Sequence, residues 1–291
     1  MLESLINPKK AERKPWEMFF IGLIYASLSI LLVRWFFAGN EILAKSSGIL
    51  IVTFCVMFSL PFMYFMIKRE EREDEDEQIN GFRDVWRVHN DAIRGFMWLF
   101  FGFLIAFSFW YILLQDTSLF NAQIGTYCQI NSPSNVNGCI GEYIPGTSGT
   151  TISGAASSSL PLRFFGILQN NLLVMIFTLI FSLVFGAGAI FILAWNASVI
   201  AASIGIFTKY NWAQIPIGLA RYMIHGFPEI AAYFIAALAG GIFGVGLARH
   251  GIKDHRFLKI AQHVIILILI AVVFLVIAGL MEVYLTPVLF G

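Results

Sequence analysis

The feature that most limits what this chain can fold into is a series of long apolar runs. Each run approaches the length of about 20 residues with which an α-helix crosses the hydrocarbon layer of a bilayer. The runs lie near 17–38, 46–67, 96–114, 164–185, 188–207, 226–248 and 259–281. The chain is 58% hydrophobic and 13% charged, which is more apolar surface than a soluble core can bury. The sequence therefore predicts an all-α, polytopic transmembrane helical bundle of about seven spans, a multi-pass protein of the plasma membrane.

The positions of Lys and Arg predict how the spans are oriented, because short loops rich in these residues stay in the cytoplasm. Loop 115–162 contains neither residue and is predicted to lie outside. Lys and Arg concentrate instead in the tail before the first span, in segment 68–95 and in connection 249–259. If the fourth and fifth runs are separate spans that turn at Gly186 and Gly188, all three basic segments lie in the cytoplasm. The N-terminus is then inside and the C-terminus outside.

The outer loop is also where a disulfide is expected. Cys128 and Cys139 both lie in it, in an oxidising location that favours their pairing. Two free thiols in a disordered loop are the alternative. Cys55 lies inside the second span, where a thiol behaves as a small apolar group.

Two ionisable residues, His225 and Glu229, lie at the start of the sixth apolar run. Their i, i+4 spacing places both on one face of a helix. Pro228 suits the first turn of a helix, where its missing N–H is not needed. We therefore expect a helix that begins near Phe227, with a re-entrant or interfacial half-helix before it at 215–224.

The His225–Glu229 pair has three interpretations, because ionisable residues at membrane depth are unfavourable and usually have a role. Glu229 caps the helix and pairs with His225 or Arg221; or the pair relays a proton or cation in a transporter; or it belongs to a partner-binding surface. Asn171, near the outer end of the fourth span, and Asn196, in the fifth, are further polar groups. We expect Asn171, His225 and Glu229 to line one polar pocket on the outer side.

Neither catalysis nor metal binding is indicated by the residues. One His and one Glu are too few ligands for a metal site. The sequence contains no nucleotide-binding loop, no GxSxG and no HExxH. We predict no catalytic residue, no metal and no cofactor, and hence a protein that is not an enzyme.

Small residues line one face of the sixth span. Gly240 and Gly244 have the small-xxx-small spacing that lets two helices approach closely, and Gly241 adds bare backbone beside them. Packing within the chain is the usual use of such a stripe, and a dimer face is the alternative.

Two segments resemble the stage II sporulation protein M family. HGFPEIAAYFIAALAGGIFG resembles the family's His-Gly-x-x-Glu segment and the small-residue helix that follows it. GAGAIFILAWNASVIAASIG resembles the family's Gly-rich span with an Asn at its end, although Ala197 replaces the usual Gly after that Asn. The resemblance covers roughly 165–285. The matching residues are Asn196, His225, Gly226 and Glu229.

The resemblance implies a five-span core at 96–291 that includes the outer loop 115–162. The tail and the first two spans, 1–67, look like an added module, joined to the core by the charged cytoplasmic segment 68–95. Within that segment the acidic run 70–77 indicates a solvated helix or linker, with a docking site for a basic partner as the alternative.

The sporulation member of the family is regarded as an integral scaffold of a membrane complex and not as a hydrolase. The resemblance therefore implies a non-enzymatic scaffold or assembly subunit in the lipid bilayer. Its partners would be another membrane protein or further copies of the chain, and no nucleic acid is expected. The residues leave one alternative, a transporter or channel that uses Glu229 and His225 as an intramembrane proton or cation site.

Overall fold

A computed structural model of the chain describes residues 15–37, 39–76, 82–132, 134–144, 160–185, 190–251 and 254–290, and for residues 41, 69, 71–76, 82 and 185 it describes the backbone alone. Within these ranges the chain forms helices joined by short turns, without any strand. The prediction of an all-α bundle is confirmed.

The helices follow one another along the chain with short connections. In chain order they are α1 (Glu17–Phe36), α2 (Glu41–Ala44), α3 (Ser47–Asp76), α4 (Phe82–Leu114), α5 (Asn121–Asn131), α6 (Val136–Tyr143), α7 (Leu160–Phe185), α8 (Ile190–Thr208), α9 (Ile215–His250), α10 (His255–Leu280) and α11 (Thr286–Phe290). Two 3₁₀ turns lie at Thr117–Phe120 and Trp212–Gln214, and a π-helical turn lies at Met281–Leu285. Among the described helices, seven are long and apolar enough to span a membrane: α1, α3, α4 and α7 to α10. The predicted number of spans is confirmed, and their orientation stays a prediction.

The fourth and fifth apolar runs form separate helices, as predicted. α7 ends at Phe185 and α8 begins at Ile190. The glycines at which the turn was placed, Gly186 and Gly188, lie outside the described residues.

Much of the charged segment 68–95 continues the spans on either side of it, because α3 extends to Asp76 and α4 begins at Phe82. In the acidic run 70–77 the structure describes one side chain, that of Glu70. Its Oε2 lies 2.7 Å from Nδ1 of His89, and both residues are buried. This part of the run is therefore a packing contact between α3 and α4, not a solvated face.

α9 corrects the expectation of a half-helix before Phe227. It runs unbroken through 36 residues, with Gly226 and Pro228 inside it. Breaking the helix would expose peptide groups to an apolar environment, whereas Pro228 removes a single backbone donor, which membrane helices tolerate. The local signal for a helix start was therefore compatible with a helix interior.

α9 is also the most deeply packed of the spans. Phe234 stacks on Phe96 of α4 with ring centroids 5.5 Å apart, and the edge of Phe100 meets it at 6.2 Å. Residues 230–242 of α9 are buried throughout. Side chains on this helix are consequently held by neighbours on several sides.

The glycine stripe of α9 packs against other helices of the same chain. A Cβ added at Gly240 would overlap the carbonyl oxygen of Leu179, and one at Gly244 would overlap that of Leu183. Both carbonyls belong to α7, while Gly241 lies against the side chain of Ile67 in α3. The stripe therefore brings α7 into backbone contact with α9.

α1 makes an equally close contact with α4. A Cβ at Gly22 would overlap the carbonyl oxygen of Leu99, and one at Gly102 would overlap that of Phe19. In addition, the Trp110 indole N–H donates to Ser27 Oγ at 2.9 Å. The first span is thus packed into the bundle at backbone distance.

Helices α5 and α6 form a small cap, and the end of the bundle that carries it is called here the disulfide end. Cys128 and Cys139 are bonded, with Cα atoms 5.6 Å apart, so the predicted disulfide is confirmed. Gln123 of α5 donates to the Gly48 carbonyl at 2.9 Å and to Ser198 Oγ at 3.1 Å. The cap is therefore anchored to both α3 and α8.

The disulfide predicts the number of thiols that can be alkylated. After denaturation without a reductant, one of the three cysteines, Cys55, should react with a maleimide, and after reduction all three should react. Mass spectrometry of the alkylated chain measures this directly. Three reactive thiols before reduction would show that the bond is absent.

The contact between α7 and α9 predicts that Gly240→Ala and Gly244→Ala each lower the free energy of unfolding by about 1–3 kcal/mol, as overpacking does. Gly166→Ala in α7 is the matched control, because a Cβ there meets no atom within 4 Å. Thermal unfolding in detergent compares the three variants. Equal melting temperatures for Gly240→Ala and Gly166→Ala would contradict the described contact.

Candidate functional site

A cavity of about 980 Å³ lies between α7, α8 and α9, below the cap at the disulfide end. Its walls combine polar and apolar side chains. The polar residues that line it are Thr126, Gln129, Asn170, Asn171, Asn196, His225, Glu229, Tyr233 and Glu282. Three residues expected to share a pocket, Asn171, His225 and Glu229, therefore lie along one cavity, together with Asn196.

Glu229 lies at the centre of the polar contacts. The Tyr233 hydroxyl, one helical turn further along α9, donates to Glu229 Oε1 at 2.8 Å. Asn171 of α7 is a second hydrogen-bonding partner of this carboxyl group, and Glu282 lies close enough to act on it electrostatically. Asn170 Nδ2 lies 3.3 Å from Asn171 Oδ1 and donates to it, which leaves the Asn171 amide N–H groups for Glu229.

The interpretation of Glu229 as a helix cap is wrong. Glu229 lies well inside α9, where the backbone N–H groups are already used by the helix. The expected partners of Glu229 also differ from those in the structure. His225 Nδ1 lies 3.1 Å from Thr286 Oγ1, and Arg221 donates to the Phe290 carbonyl at 3.2 Å.

The π-helical turn at Met281–Leu285 connects the C-terminal segment to the cavity. Glu282, on this turn, lines the cavity. Thr286, directly after it, donates its hydroxyl proton to the Met281 carbonyl at 3.1 Å. Its oxygen then accepts from His225, so Nδ1 of His225 carries a proton and Nε2 is an acceptor when the ring is neutral. Single π turns inside α-helices frequently occur at functional sites.

Asn196 and the aromatic residues near it form the α8 wall. The Asn196 amide donates to the Ile192 carbonyl of its own helix at 2.7 Å. Phe191 and Trp195 stack with ring centroids 6.2 Å apart and an interplanar angle of 16°. All four residues line the cavity, so its α8 side is largely aromatic and apolar.

Apolar residues at the edge of the cavity are exposed on the surface of the bundle. Ile49 is 49% exposed and Phe177 is 62% exposed, and both line the cavity. In a membrane such side chains face lipid. The cavity therefore opens sideways, onto the apolar surface of the protein.

The residues that line the cavity include two acids, Glu229 and Glu282, and one histidine, His225. This lining, drawn from the described residues, includes no Lys or Arg. Arg163 of α7 is close enough to act electrostatically on Glu282. In the part of the chain that the structure describes, no three His, Cys, Asp or Glu residues are grouped to hold a metal ion.

Sequence reasoning missed Tyr233, Glu282 and Thr286. Tyr233 continues the i, i+4 series from His225 through Glu229, so its spacing could have identified it. Glu282 lies one residue beyond the last predicted run, 259–281, although an acid within an apolar stretch is itself a signal. Thr286 has no local signal, since its contact depends on the π turn and on packing against α9.

The contact between His225 and Thr286 predicts the effect of Thr286→Val. This nearly isosteric change removes one hydrogen bond to α9 and one to Met281, and should lower the free energy of unfolding by about 0.5–1.5 kcal/mol. Thr53→Val is the control, because the Thr53 hydroxyl bonds only within its own helix, to Ile49 at 2.9 Å. Thermal unfolding in detergent should show the larger loss for Thr286→Val, and a reversed order would contradict the contact.

Comparison with known proteins identifies a family for most of the chain. The family model described as stage II sporulation protein M matches residues 96–287, which include the cap, the π turn and every residue that lines the cavity except Ile49. α1 and α3 lie before the matched range. No curated protein and no solved structure matches the chain. Because the match covers well over half of its length, the chain belongs to the stage II sporulation protein M family.

Proposed function

We propose that this chain is a membrane carrier or channel component whose cavity holds a small cation or polar ligand on its way across the bilayer. The cavity supports this function, since it gathers polar side chains from α7, α8, α9 and the π turn at one place. A cavity between helices with a few convergent polar groups is the usual form of a small-molecule site. Ionisable residues within membrane spans commonly line substrate or ion paths.

The charge of the lining favours a cation over an anion. Glu229 receives hydrogen bonds from the neutral groups of Tyr233 and Asn171, and Glu282 adds a second acid nearby. Neutral donors stabilise a carboxylate but do not cancel its charge. A proton, a small cation or a cationic solute would complete the site.

A non-enzymatic assembly subunit is the second candidate function, and family membership supports it. In this case the chain would be a scaffold for another membrane protein or for further copies of itself. The Gly240–Gly244 stripe does not serve such an interface, because α7 of the same chain covers it. Any partner surface would lie elsewhere, on the lipid-facing side of the bundle.

Cysteine accessibility tests the carrier proposal without knowledge of the ligand. Asn196→Cys in a Cys55→Ala background should react with small hydrophilic thiosulfonate reagents in lipid nanodiscs. A cationic reagent should react about tenfold faster than an anionic one, because an acidic cleft concentrates cations. Glu229→Gln should reduce this preference.

Ala197→Cys is the matched control for the labelling experiment. Ala197 is the next residue of α8, is fully buried and does not line the cavity, so it should stay unlabelled. If Asn196→Cys is as unreactive as Ala197→Cys, the cavity is closed to water and the carrier proposal fails. A second protein that then co-purifies reproducibly from native membranes would support the assembly subunit.

A further inference from the structure

Among the described residues that line the cavity there are two acids, Glu229 and Glu282, but no Lys or Arg. Glu229 receives its hydrogen bond from the neutral hydroxyl of Tyr233. Glu282, in contrast, has Arg163 in range. Glu229, on the α9 wall of the cavity, is therefore the acid beside which a positively charged ligand would bind.

The same cavity is also lined by aromatic side chains. Phe177 of α7 and the stacked pair Phe191 and Trp195 of α8 all line the cavity. Aromatic faces attract ammonium groups through the ring quadrupole, and Trp does so most strongly. A carboxylate together with several aromatic rings is a combination that binds organic ammonium ions.

The size of the cavity argues against a bare inorganic ion. Its volume of about 980 Å³ is at the upper end of the roughly 300–1,000 Å³ that small-molecule pockets occupy. A metal ion would need several ligands at once, and the described part of the chain offers no group of three suitable residues. An organic ligand with one charged group fits both observations.

The opening of the cavity towards lipid can also admit a ligand that carries a hydrocarbon part. Ile49 and Phe177 border the cavity and are exposed on the surface that faces lipid. An ammonium group attached to a hydrocarbon part could therefore enter from the bilayer as well as from water.

We propose that the cavity binds an organic ammonium ion, with the charged group against Glu229 and the apolar part along Trp195 and Phe191. This inference rests on the carrier function proposed above and names its substrate class. Two sources could supply such an ammonium group: a soluble amine, and the headgroup of a phospholipid.

Choline and its neutral carbon isostere, 3,3-dimethylbutan-1-ol, test the charge requirement. The full chain is placed in nanodiscs of phosphatidylglycerol, which has no ammonium group, and each compound is titrated by calorimetry. Choline should bind at least about tenfold more tightly than the isostere, a difference of about 1.4 kcal/mol. Glu229→Gln and Trp195→Leu should each weaken choline binding by about tenfold or more.

Glu142→Gln is the matched control, because Glu142 is an exposed acid of α6 at the same end of the bundle and does not line the cavity. It should leave choline binding unchanged. Size-exclusion chromatography and thermal unfolding establish that each variant is folded. If Glu229→Gln does not fold, Trp195→Leu tests the same binding site, and undiminished choline binding by that variant would contradict the proposal.

Phosphatidylethanolamine nanodiscs separate the two sources. If the lipid headgroup is the ligand, this lipid should abolish choline binding, and native mass spectrometry should show one retained lipid in the wild type that Glu229→Gln loses. If a soluble amine is the ligand, the lipid should make no difference.

Equal binding of choline and its isostere, with no retained aminophospholipid, would overturn the ammonium proposal. The labelling of Asn196→Cys would then still show whether the cavity is open to water. Labelling without ammonium binding leaves the carrier function standing with another ligand class, and absence of both overturns the two proposals together.

Discussion

The structure depends on one constraint, that peptide groups within a bilayer must find their hydrogen-bond partners inside the protein. This constraint keeps α9 helical through Gly226 and Pro228, where a soluble chain would have reason to turn. Because the helix is continuous, His225, Glu229 and Tyr233 lie on successive turns of one face. The cavity is built along that face.

The two halves of α9 pack differently against α7. Towards the end marked by Gly240 and Gly244, bare backbone lets α7 touch α9 directly. Towards Glu229, side chains from both helices, among them Asn171 of α7 and Tyr233 of α9, line the cavity instead. Close packing at one end holds the helices in a fixed relation, which keeps the polar groups at the other end in place.

The helical architecture could be predicted from the sequence because the length of an apolar run is a property of the run itself. The disulfide could be predicted as well, because both of its cysteines lie in the same loop. The sequence also grouped Asn171, His225 and Glu229, and the structure does place them along one cavity, while their role remains a proposal. The continuity of α9 could not be predicted, because Gly226 and Pro228 fit a helix start as well as a tolerated interior. The contribution of Glu282 could not be predicted either, because Glu282 lies on the π turn at Met281–Leu285.

The π turn at Met281–Leu285 has a geometric consequence for the C-terminus. One extra residue in a helical turn shifts everything after it by about 100° around the helix axis. α11 is therefore out of phase with α10, although no loop separates them. The last span therefore consists of two helical segments with different rotational phases. The two hydrogen bonds described above between this part of the chain and α9 use Thr286 Oγ1 and the backbone carbonyl of Phe290, and both groups lie beyond the π turn.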